Sequence, residues 1–425
     1  MQPGKPQTNE IHWVFVIAWL FALIFYFLQY GLRSAPSVMV ADLTTAYGLT
    51  ALGISSLIGV YYYTYSSFAL VAGACLDRYG PKYTIPVGVV TLAAGCALFV
   101  VGSIVPATAG RLLQGAGSAV AFPGAVYLAV QGFPARYLAT AIGFTQMAGM
   151  FGGSAGQFLV APIVKAIPSW REFWIYSGIL LVGLAVVLVL VIPRKEIERS
   201  AEHHTFASIL SPIRLVLQNP QSYLCGIVAG LLFLPTTIGD MIWGVRFLQV
   251  EGVSNYLAAS DRASMVPLGW VIGCPLLGYL ADYMGLRKPV LIGGAIIMLL
   301  ASAAIIYLPY ETPAYVGGFL LGLGSGAAMI PYSMIKETNP DKVKGSATGV
   351  MNFLVFLFSA LLAPVYGAIL VYVSGGAKLT LLDFQEAGVL GIGLILLAII
   401  LAFFLNETGV KARHPAALAG VASEN

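Results

Sequence analysis

The chain carries apolar runs close to the length that crosses a lipid bilayer, among them Val14 to Leu28, Thr84 to Val101, Ile175 to Ile192 and Ala387 to Leu405. About twenty consecutive apolar residues span the hydrocarbon core. With no water there to satisfy the backbone, such a run must be helical. Composition excludes a water-soluble fold as well: 59% of the 425 residues are hydrophobic and 9% are Asp, Glu, Lys or Arg, against the roughly 25% charged residues of an ordinary soluble domain.

Continuing by window predicts twelve spans, near residues 12–40, 50–75, 83–104, 107–131, 138–163, 173–192, 221–250, 255–280, 289–308, 313–335, 345–373 and 385–405. The expected fold is an all-α integral membrane protein, its twelve transmembrane helices divided into two pseudo-symmetric six-helix bundles. The first run is preceded by Lys5 and continues into Gln29, Tyr30 and Arg33 without a small-residue cleavage site. It reads as a retained helix, not a signal peptide.

An even number of spans puts both termini on one side. The loops of that side hold most of the Lys and Arg, including Arg78, Lys82, Arg136, Arg194, Lys195, Arg287, Lys288, Lys342 and Lys344, whereas Lys165, Arg171, Arg262 and Lys378 fall opposite. Positive charge is retained in the cytoplasm, so the termini are expected there, in a bacterial inner membrane. The net charge of +4 then reports topology, not nucleic-acid binding. Cys75, Cys96, Cys225 and Cys274 fall in or beside predicted spans with no CxxC spacing, the pattern of small packing residues without a disulfide or zinc site.

Internal repetition organises the chain. Gly73, Asp77, Gly80 and Lys82 return as Gly278, Asp282, Gly285 and Arg287, each displaced by 205. Gly115, Gly117 and Ser118 return as Gly322, Gly324 and Ser325 at 207, and Pro123 and Thr140 as Pro331 and Thr348 at 208. The expected division is a first half over 1–195, a central cytoplasmic loop over 196–220 containing His203 and His204, a second half over 221–406, and a cytoplasmic tail over 407–425. Parallel six-helix halves leave between them a cavity that can face either side as they rock.

The segment from Gly73 through Asp77, Arg78 and Gly80 to Lys82 resembles the loop signature between helices 2 and 3 of the major facilitator superfamily, and the resemblance covers nearly the whole chain. It implies a cytoplasmic gate in which Asp77, Arg78 and Lys82, with Asp282 and Arg287 in the second half, form a charge cluster that breaks as the halves move. The segment Arg111, Gln114, Gly115, Gly117 and Ser118 is similar to the family's fourth-helix motif. Small residues let helices approach closely, so Arg111, Gly115, Gly117, Gly322 and Gly324 are read first as packing. The fifth helix lacks the Gly-Pro step of drug-proton antiporters, which speaks against drug efflux. More narrowly, Tyr30 to Met39, Tyr61 to Tyr63 and Trp243 to Leu248 look like a proteobacterial group that includes phagosomal amino-acid importers and carriers of carboxylate siderophores.

Charge inside a span costs roughly 2.5 to 3.5 kcal/mol on insertion scales and marks function. The candidates are Arg33 in helix 1 and Asp240 in helix 7, 207 apart and so equivalent under the repeat. Gln146 in helix 5 and Asn352 in helix 11, 206 apart, form a second such pair. One reading has the planar fork of Arg33 take a substrate carboxylate while Asp240 takes an ammonium or a coupling proton. The other has Arg33 and Asp240 pair as a gate toward the far boundary. The resemblance adds that anion carriers of the superfamily use a first-helix arginine matching Arg33. Their second arginine would fall near Thr237, which argues against phosphate substrates. Tyr61, Tyr62 and Tyr65 can line the cavity or sit in an interfacial belt, and Pro36, Pro235 and Pro267 are expected to bend helices 1, 7 and 8.

No P-loop, dinucleotide fingerprint, metal cluster or catalytic triad is present in the sequence. The expectation is a transporter, not an enzyme, without cofactor or metal, driven by a gradient. Its partners would be a small organic solute, a coupling proton and the bilayer, and its state a monomer. Proton-coupled uptake of an amino acid or small carboxylate leads, followed by transport of a carboxylate siderophore. A non-transporting sensor on the same scaffold comes last.

Overall fold

The computed structural model describes residues 11–194, 206–252, 255–340 and 343–409. Its helical spans are α1 (Trp13–Tyr47), α2 (Ala51–Tyr79), α3 (Pro81–Phe99), α4 (Ile104–Gly132), α5 (Ala141–Ala166), α6 (Trp170–Val191), α7 (Pro220–Gln249), α8 (Tyr256–Met284), α9 (Lys288–Tyr307), α10 (Val316–Glu337), α11 (Gly345–Ser374) and α12 (Leu381–Ala402). Among the described residues, 11 of these are long and apolar enough to cross a membrane. Helix α2, with 29 residues, has the length but carries the polar stretch from Tyr61 to Ser67 on its central turns. The chain is thus a multi-pass membrane protein.

Within the first bundle α1 packs on α4 and α5, while α3 packs on α4 and α6; in the second, α7 packs on α11 and α12, and α10 on α8 and α9. The most extensive contacts between the bundles are α2 with α11 and α5 with α8, which exchange with each other under the repeat, and α1 meets α7 besides. The face bearing the start of α1 and the end of α12 is called terminal below, and the opposite face distal.

Close approach depends on glycine. A Cβ on Gly156 of α5 would run into the Gly31 carbonyl and Ser34 of α1. One on Gly115 would meet the Tyr61 carbonyl and Thr64, and one on Gly322 the Val266 carbonyl. Gly117 and Gly324 likewise seat against Gly88 and Gly294. Glycine also ends helices, as at Gly48 and Gly285, whose φ of 62° and 67° place them in the left-handed region. Starts are capped by side chains, with Asn219 accepting from Gln221 N–H at 3.0 Å and Thr380 and Asp383 forming a reciprocal capping box before α12.

Three features depart from the sequence-based expectation. Helix α1 runs on to Tyr47, through a 3₁₀ turn over Ala35–Met39 begun at Pro36, and α2 runs to Tyr79. The expected central loop contains a helix, Phe206–Leu217, whose apolar Val216 is buried and which packs on α11; amphipathic spacing there is enough for a surface helix. His203, His204, Lys195 and Lys342 lie outside the described residues.

Candidate functional site

Arg33 sits near the middle of α1, 20 residues after its start and 14 before its end. The extension of α1 to Tyr47 therefore places Arg33 away from the distal boundary that a shorter helix implied. The side chain is 2% exposed. Five rings surround its Cζ: Tyr30 at 5.0 Å, Tyr61 at 5.3 Å, Tyr62 at 4.9 Å, Tyr65 at 4.7 Å and Phe356 at 4.5 Å. Four belong to the first half, while Phe356 reaches in from α11. The tyrosines of α2 are thus cage walls and not an interfacial belt.

Nε and Nη2 of Arg33 have no hydrogen-bond partner among the described residues. These atoms share one edge of the planar guanidinium, the edge that matches two oxygens of a carboxylate. Ring faces supply about 0.5 to 2 kcal/mol each to a desolvated cation. They cannot replace hydrogen bonds, so that edge is left with an unmet demand.

The amides Gln146 and Asn352 are half-buried. Tyr26 donates to Gln146 Oε1 at 3.3 Å and Tyr332 to Asn352 Oδ1 at 2.8 Å. Tyr26 stacks edge-on against the cage residue Tyr30 at 5.2 Å, which connects this polar belt to the cage. Tyr61 donates to Gln29 Oε1 at 3.1 Å and Tyr62 to the Thr237 carbonyl at 3.4 Å, fixing both rings.

Asp240 lies apart from this cage. Pro235 opens a π-helical segment, Pro235–Gly244, because it has no N–H to continue the α ladder. Within the segment the Thr237 hydroxyl donates to the Phe233 carbonyl at 3.1 Å. Extra residues per turn in a π segment rotate Asp240 toward α5, where Gln157 Nε2 donates to its Oδ2 at 3.1 Å and lies 3.4 Å from Ser37 Oγ. Asp240 is 4% exposed, and the ion pairs among the described residues lie elsewhere. The arginine and carboxylate expected to face each other instead have different partners.

Gln157–Asp240 is one of several hydrogen bonds crossing between the bundles. Ser154 donates to the Ser264 carbonyl at 2.8 Å, Trp243 to Ser55 Oγ at 2.9 Å and Tyr256 to the Val38 carbonyl at 3.1 Å. All these lie in the distal half of the spans, which makes the distal seam closed. Gln157 and Phe356 were not singled out in the sequence, and Tyr30 only as part of a resembling stretch. Gln157 could have been, as an uncharged amide directly after the small-residue run Gly152 to Gly156.

The side chain of Asp77 lies outside the described residues. Arg78 stacks on Tyr79 with Cζ 5.4 Å from the ring, and Lys82 donates to the Val189 and Ile192 carbonyls at 2.7 Å each, closing the end of α6. In the second half Arg287 bridges Asp282 and Glu337, the latter at 3.0 Å, ion pairs that draw its pKa upward against the cost of burial. These ties run within each bundle. Burial opposes the charge of Glu407, but backbone N–H groups of Arg287, Lys288, Gly409 and Thr408 outweigh it and lower its pKa. Arg111 is 1% exposed, donating to Gln114 Oε1 at 2.6 Å and the Ile58 carbonyl at 3.1 Å, and so clamps α4 to α2.

Two six-helix bundles joined through α2, α5, α8 and α11 around a central charged site are matched by the profile described as Major Facilitator Superfamily, over residues 22–364 and 259–422. The chain belongs to the Major Facilitator Superfamily. It is a membrane transporter, not an enzyme. Among similar curated proteins is a D-galactonate transporter of Escherichia coli O6:H1, 24% identical over 398 residues, 83% of this chain and 90% of that one. Another is a probable sulfoacetate transporter, SauU, of Cupriavidus necator, 28% identical over 165 residues. That alignment spans 38% of this chain and 37% of SauU, less than two thirds of the relative's length. Among solved structures, a point mutant of the nucleoside transporter NupG superposes with a TM-score of 0.74 at 14% identity, covering 91% of this chain and 99% of that one.

Proposed function

We propose that this transporter carries a small organic anion, a carboxylate in the first instance, inward across a bacterial inner membrane with a coupling proton, its termini cytoplasmic. The open Nε–Nη2 edge of caged Arg33 carries the reading. Two coplanar donors on a desolvated cation select two coplanar oxygens. Gln146, Asn352 and the hydroxyls of Tyr26 and Tyr332 then serve the substrate's polar remainder. Two of the relatives, the D-galactonate and probable sulfoacetate transporters, are named for substrates of this class.

Because Phe356 belongs to the second half, the cage cannot admit a ligand without the halves shifting. Asp240, held at the distal seam by Gln157, suits the proton better than an ammonium, since its carboxylate is engaged outside the cage. Moving one negative charge inward against the membrane potential costs about 2.3 kcal/mol per 100 mV. A proton bound at Asp240 cancels that cost for a monoanion. The amino-acid importers of the resembled group would use Arg33 identically, with the ammonium met by Gln146 and Asn352. One chain contains both halves, so a monomer suffices.

Uptake into proteoliposomes under an imposed inward proton gradient tests this with D-galactonate, sulfoacetate, pooled amino acids and citrate. Gradient-driven accumulation of the anions, lost in Arg33→Gln, is the expected result. Transport of neutral solutes alone, unaffected by Arg33→Gln, overturns it, and amino acids as the sole substrates establish the second reading.

A further inference from the structure

Asp240 has a second face. Away from Gln157 it lines a cavity of about 150 Å³ inside the second bundle, between α7 and α8 through α12. Its walls are mainly aliphatic and aromatic, including Phe247, Tyr366 and Phe384. At the inner end Gly239 is exposed although it lies well within α7. Ser302 of α9, 5% exposed, borders the same space, its hydroxyl buried and without a hydrogen-bond partner among the described residues. At the outer end stand Thr312, Pro313 and Tyr315 of the loop before α10, with Pro313 and Tyr315 exposed at the distal face.

We infer that this cavity is a proton-entry path to Asp240 from the distal face, running inside the second bundle and separate from the seam crossed by the substrate. It rests on the reading of Asp240 as the proton-binding carboxylate. The space accommodates several waters, while its mainly apolar walls do not solvate an organic anion. Asp240 gives a water column a polar partner at its inner end, and the apolar walls let the column break, so conduction is gated by wetting.

Tyr315 at the mouth has a φ of 72°, a left-handed conformation that is strained for a bulky residue and recurs at switch regions. Its side chain stands at the outer end, exposed at the distal face. Of charged or titratable groups, Arg262, Tyr315 and Tyr366 share the cavity with Asp240. On the seam side Asp240 meets the uncharged Gln157, which in turn reaches Ser37, and Arg33 lies one turn before Ser37 on α1. A proton can therefore reach Asp240 while the Gln157 hydrogen bond keeps the substrate seam shut.

Difference infrared spectroscopy on the full chain in lipid vesicles follows the carbonyl stretch of protonated Asp240, assigned by its loss in Asp240→Asn, after a step to acidic pH. Gly239→Leu and Gly391→Leu fill the cavity, since a Cβ at either position meets no atom within 4 Å. A third arm uses Ser302→Cys with Cys75, Cys96, Cys225 and Cys274 changed to Ala, measured before and after methyl methanethiosulfonate on the same folded sample. Protonation slowed about tenfold or more in all three, a barrier increase of some 1.4 kcal/mol, is expected. A titrating Asp240 band with unchanged rates overturns the path and leaves the role of Asp240 standing. Absence of any Asp240 band across the pH range overturns both.

Discussion

Arg33 and Asp240 occupy equivalent places in two halves built on one plan, and the halves treat them oppositely. Arg33 is wrapped by aromatic faces, four from its own half, and one edge of its guanidinium has no hydrogen-bond partner among the described residues. Asp240 sits on a π segment, and an amide of the opposite half holds its carboxylate. Repetition supplies two polar sites at related positions; function comes from breaking the symmetry between them. One charge is left wanting a ligand, and the other is tied across the seam that must open.

The strongest test of this contrast removes the unmet demand. Hydrogen bonds to charged groups contribute about 1.5 to 3 kcal/mol each, so losing two in Arg33→Gln should weaken D-galactonate binding by roughly a hundredfold or more. Arg33→Lys keeps the charge without the planar fork and should fall between. Isothermal titration of the purified variants measures both. If lysine binds as tightly as arginine, the edge geometry is irrelevant and the contrast reduces to one of charge alone.

A smaller effect is expected on the carboxylate side, where the amide partner and not the ligand is at stake. Asp240→Leu leaves Gln157 Nε2 buried with only its 3.4 Å contact to Ser37 Oγ and should lower folding stability by about 1 to 3 kcal/mol. Asp240→Asn keeps an acceptor oxygen of the same shape. It should leave the thermal midpoint nearly unchanged while abolishing proton-driven accumulation and sparing substrate exchange. Equal midpoints for Leu and Asn would mean that the Gln157 bond does not hold the seam.

The spans and the two-bundle plan were legible because membrane insertion writes them directly into the sequence, as long apolar runs and a repeat near 207 residues, and the few intramembrane charges marked Arg33 and Asp240 as candidates. The mutual placement of Arg33 and Asp240 was not. A steady offset fixes the turn on which a residue sits, but the π segment beginning at Pro235 adds residues per turn and changes the direction in which Asp240 points. The cage was half legible, since Tyr61, Tyr62 and Tyr65 stand at helical spacing on α2. Its fifth ring, Phe356, comes from more than three hundred residues beyond Arg33 in the chain and looks like any apolar residue of α11. Local periodicity cannot say which apolar side chain closes over a site in the other half.

The smallest expected effect addresses the seam itself. Gln157→Leu removes one cross-bundle hydrogen bond while the Ser154–Ser264, Trp243–Ser55 and Tyr256–Val38 bonds remain. At about 0.5 to 1.5 kcal/mol for a typical bond, the closed distal seam should lose roughly two- to twelvefold in population. Labelling of Val38→Cys by a membrane-impermeant maleimide reports that shift, because Val38 is 4% exposed at the seam and its side chain takes no part in the bonds described. Arg33→Gln in the same assay should leave labelling of the unliganded protein near its starting value, since the open edge of Arg33 makes no bond across the seam. Faster labelling in both variants would show that the arginine, too, holds the halves together, and the division between a ligand site and a tied switch would not stand.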